Sequence, residues 1–188
     1  MAVHRFDTAT LPEQPWKNGG GSTREIVCSP PGAVAFDWRV SLARIADDGP
    51  FSRFDGVDRV IVLLHGAGVQ LRGDAIEHRL DQPLQPFAFA GDAPLQARLI
   101  DGACDDFNVM VRRGVLRARV SVRHASTDEP ASPRGLVYAA HGSWQVAGHG
   151  EVDAGCGLWW EGVGLALQAT PISAAAVLLV VHVDAVSA

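Results

Sequence analysis

A chain of 188 residues, 47% hydrophobic and 20% charged, has enough apolar side chains for a globular core and lacks the composition of a disordered polypeptide. Its length admits one large β domain or two smaller ones in tandem. A formal net charge of -5 excludes a general nucleic-acid-binding surface, which needs clustered Lys and Arg in excess, so no DNA or RNA partner is expected.

The first stretch, MAVHRFDTATLPEQPWKNGG, turns polar within a few residues, unlike a signal peptide or a membrane anchor. A cytoplasmic protein with no membrane partner is expected. From Trp16 the chain reads Lys17-Asn18-Gly19-Gly20-Gly21-Ser22-Thr23-Arg24. Three glycines in succession let the backbone approach a ligand closely or present its N–H groups to an anion. The lysine precedes the glycines and no Gly-Lys-Ser/Thr follows, so this is not a phosphate-binding P-loop. The residues alone read either as a flexible connection into a strand from Thr23 or, with Lys17, Asn18 and Arg24 around the glycines and Trp16 as an apolar wall, as a carboxylate-binding loop.

Phe36 to Ile45 alternates as a strand, with Phe36, Trp38, Val40 and Leu42 on one face and Arg39 on the other beside Asp37 and Ser41. Arg39 is a secondary candidate for ligand contact. Phe51 and Phe54 read as core packing, and Asp58-Arg59 as a structural ion pair entering an apolar strand. Val57 to Leu64 is nearly continuous in apolar residues, as in a strand covered on both sides. From Val60 to Leu80 the pattern is strand, glycine turn, strand, Gly73-Asp74 turn, strand, a meander of hairpins.

Asp106 to Arg113 alternates again: Asp106, Asn108, Met110 and Arg112 share one face, Phe107, Val109 and Val111 the other. The polar face is either solvated or turned into a barrel mouth. In the second case it offers an acceptor, an amide and a guanidinium fork suited to a carboxylate. Leu116 to His124 is a half-buried strand. Ser126 to Pro133 is polar and proline-containing and is the expected domain boundary. Leu136 to Thr170 then reads as short strands separated by turns, with Leu158 to Glu161 and Leu165 to Thr170 as separate elements, and Ala174 to Val183 as a buried final strand.

Cys28, Cys104 and Cys156 are odd in number and widely spaced, as expected of free thiols in a reducing compartment. No H-x-H occurs, and His65 and His78 lie far apart with Glu77 beside the latter, so neither a metal nor a cofactor is expected. No G-x-S-x-G elbow or Cys–His motif marks a nucleophile.

Four phrases in this order, PWKNGGGSTREI (15–26), FDWRVSLARI (36–45), GPFSRFDGVDRVIVLLHGAG (49–68) and DFNVMVRRG (106–114), resemble the HutD/Ves family of cupin-like proteins. The resemblance covers most of residues 1–125. It implies an all-β bicupin, two RmlC-like jelly-roll barrels or sandwiches packed together, with residues 1–125 as the motif-bearing unit and 126–188 as a smaller one, strands being exchangeable between them. It also implies a regulatory or housekeeping role in histidine utilisation, with urocanate or a formylated glutamate as ligand. Residues and resemblance together predict metal-independent binding of a small anionic metabolite by Trp16, Lys17, Asn18, Arg24, Arg39, Asp106, Asn108 and Arg112. The competing expectation is a cupin isomerase or hydrolase acting on a small carboxylate, metal-free or with an ion held by dispersed histidines. Any homodimer is expected to form through exposed strands.

Overall fold

The computed structural model describes residues 2–186. Among the described residues it has seventeen strands and no helix. Two compact units emerge: a central one, Pro12–Arg117, and a terminal one, Met1–Leu11 with Ala118–Ala188.

After β1 (Ala2–Asp7), which belongs to the terminal unit, the central unit runs through β2 (Glu13–Pro15), β3 (Gly21–Ser29), β4 (Trp38–Ile45), β5 (Gly49–Phe51) and β6 (Val57–His65). It continues with β7 (Val69–Arg72), β8 (Glu77–Leu80), β9 (Pro86–Ala90), β10 (Leu95–Leu99) and β11 (Cys104–Arg112). The alternation and turn signals anticipate β4, the β6–β8 meander and β11; β2, β5, β9 and β10 carried no such reading. The β7–β8 hairpin closes where expected, Gly73 N donating to Ile76 O at 2.8 Å. Two open antiparallel sheets result, of order β2-β3-β4-β11-β6-β9 and β5-β10-β7-β8. Their apolar faces share one core, with Ile45, Ile61, Leu63 and Phe89 from the larger sheet against Val69, Leu71, Leu80 and Leu95 from the smaller. Burying such side chains stabilises by about 1.5–3 kcal/mol each, which is what holds the two sheets together.

The terminal unit contains β12 (Leu116–Arg123) from Ala118 onward, β13 (Thr127–His141), β14 (Trp144–Val146), β15 (Gly150–Val152), β16 (Cys156–Pro171) and β17 (Val177–Ala185). These form a sheet of order β12-β17-β13-β16-β14-β15, with β1 also paired to β16. Trp144, Trp160, Leu158, Leu178 and Val180 are fully buried in its core.

Two local expectations change. Residues 127–133, expected to be a loose joint, are strand: they open β13 and pair with β16. Their prolines are tolerated because the register shifts between Glu129 and Ser132 and again before Arg134, where bulges remove the need for a ladder N–H. Residues 158–161 and 165–170 are likewise one continuous strand, β16. Gly162, with φ of 75°, sits opposite that same irregular stretch of β13.

Candidate functional site

The inner face of the six-stranded sheet is built in rows. Antiparallel pairing sets Ala43, Asp106 and Leu63 side by side on β4, β11 and β6, then Ser41, Asn108 and Ile61, then Arg39, Met110 and Arg59. Since neighbouring strands lie about 4.8 Å apart, the backbones bearing Arg39 and Arg59 stand roughly 10 Å apart with Met110 between them. The sheet face is thus apolar at one end and increasingly polar toward the other, where its side chains border a cavity of ≈ 400 Å³.

Three cations line that cavity: Lys17, Arg39 and Arg59. Asn108, Ser41 and Thr23 add an amide and two hydroxyls, and Trp16, Phe51, Phe54 and Met110 form apolar walls. No carboxylate is among the lining side chains. Arg39 is held by Glu25, its Nε donating to Oε2 at 2.7 Å.

Arg59 is the central feature. Only 3% exposed, its guanidinium lies 4.7 Å from the Phe51 ring centroid, 5.3 Å from that of Phe54 and 5.1 Å from that of Phe89. Aromatic faces attract a cation by about 0.5–2 kcal/mol each, so the three rings stabilise the charge inside the protein. Nη1 donates to Ser52 O at 2.9 Å, while Nε is buried with no partner among the described residues. Burial pulls its pKa down to about 10, with the nearby Asp106 acting in the opposite sense, so it stays protonated at neutral pH. Asn108 Oδ1 and both carboxylate oxygens of Asp106 are also buried without hydrogen-bond partners among the described residues. Unsatisfied buried polar atoms cost about 1–3 kcal/mol each, and four on one sheet face mark a place adapted to something other than stability.

The glycine loop borders the same cavity. Trp16 Nε1 donates to Thr23 Oγ1 at 2.8 Å, fixing the indole as a wall. A Cβ on Gly21 would fall 2.1 Å from Arg44 O and 2.9 Å from the Trp16 ring, so glycine is required there by close packing. The loop's donors are partly used internally: Gly19 N bonds Trp16 O, and Gly20 N bonds Asn18 Oδ1 at 3.2 Å.

Of the eight residues expected to bind ligand, Trp16, Lys17, Asn18, Arg39 and Asn108 line the cavity. Asp106 lies on the same sheet face, one row beyond Asn108, and is 1% exposed. Arg24 and Arg112 fall outside the lining: Arg24 pairs with Glu13 at 2.9 Å and Arg112 with Asp37 at 3.2 Å, all four side chains well exposed. Arg59 was read as half of an ion pair with Asp58. Adjacent strand residues point to opposite faces, and Asp58 instead accepts from Arg113 Nε at 2.6 Å. A lone arginine inside VDRVIVLLH was the available signal, since an apolar strand accommodates a charge only where something compensates it.

The terminal unit has a polar cluster of a different kind. Glu129, 4% exposed, accepts from Arg123 Nε and Thr127 Oγ1, both at 2.6 Å. His182, 2% exposed, stands 3.1 Å from Arg119 Nη2 through Nδ1 and 3.9 Å from Glu129 Oε2 through Nε2. Burial works to raise the Glu129 pKa, but hydrogen bonds and the Arg123 charge prevail and hold it below the usual carboxylate value. Burial pushes His182 down, consistent with a neutral ring whose Nδ1 accepts from Arg119. No group of three or more His, Cys, Asp and Glu suited to a metal ion occurs among the described residues. No helix among them is long and apolar enough to cross a membrane.

A family model described as HutD matches residues 8–178. The chain belongs to the HutD family. Protein Ves of Citrobacter koseri is 44% identical over 143 residues, 75% of this chain and 74% of that protein. Protein Ves of Cronobacter sakazakii is 41% identical over 158 residues, 83% and 86% of the two chains. Among solved structures, HutD from Pseudomonas fluorescens SBW25 in a formate condition superposes with a TM-score of 0.86 at 31% identity, covering 99% of this chain and 100% of that one. An oxalate decarboxylase mutant of Bacillus subtilis reaches 0.65 at 10% identity over 98% and 78% of the chains. At that distance the likeness concerns the fold alone, which is cupin-like in both it and the HutD family.

Proposed function

We propose that the central unit binds a small anionic metabolite, without a metal, in the cavity lined by Lys17, Arg39, Arg59 and Asn108. One observation carries this reading: three cations and no carboxylate line a cavity where two buried polar atoms, Arg59 Nε and Asn108 Oδ1, have no partner among the described residues. Guanidinium groups match carboxylates through paired, charge-assisted hydrogen bonds, and a desolvated arginine gains most from such a partner. Trp16, Phe51 and Phe54 suit the hydrocarbon part of the same molecule. The family name supports a role in histidine utilisation; to that the proposal adds urocanate or a formylated glutamate as the metabolite, a cytoplasmic location and a bicupin scaffold. Calorimetry and thermal-shift measurements with formate, urocanate and N-formyl-L-glutamate test the site. Binding to the wild type that Arg59→Met removes supports it, and no binding of any of the three rejects it.

A second reading, catalysis on a small carboxylate, is favoured by the placement of Asp106, an acid buried beside the cavity and near neutrality in pKa. Product formation from the same three compounds separates the two.

A further inference from the structure

We propose that Asp106 is the proton partner of this cavity: a carboxylate entering beside Arg59 and Asn108 binds together with a proton, which Asp106 retains. The inference rests on the anion-site reading and adds to it a rule for when the site fills.

The geometry is specific. Asp106 is 1% exposed, and its row neighbours across the sheet are Ala43 and Leu63, neither of which can donate a side-chain hydrogen bond. Neither of its oxygens has a hydrogen-bond partner among the described residues, so nothing there holds the carboxylate in its ionised form by direct bonding. The charged groups acting on it are Arg59 from β6 and, on its own strand, Asp105; Arg39 of β4 acts on Arg59. Cys104, next on that face, does not titrate in the relevant range, because burial pushes its thiol to about 12. Burial raises the Asp106 carboxyl to about 7, against the lowering influence of Arg59 and with a further rise from Asp105.

An incoming carboxylate disturbs this balance in one direction. It competes for the field of Arg59, the single favourable influence on ionised Asp106, and brings a second negative charge to the same low-dielectric region. Both effects favour the protonated acid. Protonated Asp106 also becomes a hydrogen-bond donor, which a bound carboxylate or Asn108 Oδ1 can accept. The cavity then gains an anion and a proton together, with little change in buried charge.

The sign follows from linkage. The pKa of Asp106 is higher in the bound protein than in the free one, so binding takes up protons wherever the free protein has lost them. Affinity is flat below about pH 6 and falls up to tenfold per pH unit above about pH 7.

The test uses the full chain and N-formyl-L-glutamate, whose carboxyls stay ionised throughout from about pH 6 to about pH 9. Calorimetry at about pH 8 in phosphate and in Tris, which differ in ionisation heat, should report uptake approaching one proton per ligand, with at least tenfold weaker affinity at the alkaline end of the range. Asp106→Asn keeps the side-chain shape and removes the titration, so it should bind with affinity nearly constant across the range and no buffer dependence. The carbon-13 resonance of the Asp106 carboxyl provides the same answer without a substitution, its titration midpoint moving up when ligand is added. Wild-type binding without proton uptake, an unmoved midpoint, or an Asp106→Asn variant that keeps the wild-type pH slope would each overturn the proton coupling and leave the anion site standing. No binding of formate, urocanate or N-formyl-L-glutamate at any pH overturns both.

Discussion

Each unit buries charge on a sheet, but only one leaves it incomplete. In the terminal unit the Glu129 carboxylate is matched by Arg123 and Thr127 while His182 meets Arg119, so the principal polar atoms of the cluster find one another. In the central unit Arg59, Asp106 and Asn108 occupy an equally dry environment, yet four of their polar atoms have no partner among the described residues, and two of the three residues face a cavity. Buried charge alone is therefore a poor guide to function, since a closed network specifies structure. The informative property is unmet bonding capacity beside open volume.

The comparison can be broken at four points, beginning with the largest expected effect. If Asp106 is destabilising, Asp106→Asn should raise the unfolding free energy at about pH 8 by about 3–4 kcal/mol, the cost of ionising a carboxyl whose pKa is about 7 in the folded chain. Because the folded protein retains a proton that the unfolded chain has already lost, wild-type stability falls as pH rises from about 4 to about 7, and the advantage of the variant vanishes at the acid end. Denaturant titrations at several pH values measure this directly.

Arg59→Met should weaken carboxylate binding by about 10- to 150-fold, corresponding to about 1.5–3 kcal/mol for a charge-assisted bond, with a smaller loss of stability because the desolvated cation disappears as well. A stability loss without a binding loss would make Arg59 a structural residue like those of the terminal cluster. Glu129→Gln should show the reverse pattern, destabilising by about 1–2 kcal/mol at neutral pH and leaving ligand affinity unchanged. Since the Glu129 pKa lies below its ordinary value, that contribution is present at neutral pH and is lost as pH falls through the lowered value, so wild type and variant converge in acid. Arg112→Ala, which removes an exposed pair outside the cavity, should change stability and affinity by no more than about 0.5 kcal/mol.

Much of the fold was legible in the chain. Period-two alternation in WRVSLARI and in Asp106–Arg112 identified β4 and β11, and the glycine turns located the β6–β8 meander, because side-chain period and φ > 0 are local properties. Bulges are not local. Ser126 to Pro133 read as a joint, and 158–161 and 165–170 as separate strands, but the pairing of β13 with β16 carries the chain through both stretches. The site divides the same way. Trp16, Lys17 and Asn18 were accessible through composition, and Asn108 and Arg39 through alternation. Arg59 was hidden because its sequence neighbour Asp58 offered an obvious partner, and only cross-strand register sets it in a row with Met110 and Arg39. Arg24 and Arg112 lie outside the cavity lining, each matched to an exposed carboxylate.

The pairing of β1 with β16 sets an order on events during synthesis. Ala2 lies opposite Glu161, so β1 leaves the ribosome long before its partner β16. At about 5–20 residues per second, β1 waits several seconds with its backbone edge unsatisfied, long enough for the intervening central unit to acquire its own sheets. Nascent chains stalled before residue 156 should therefore expose their first residues to protease while residues 12–117 already resist it.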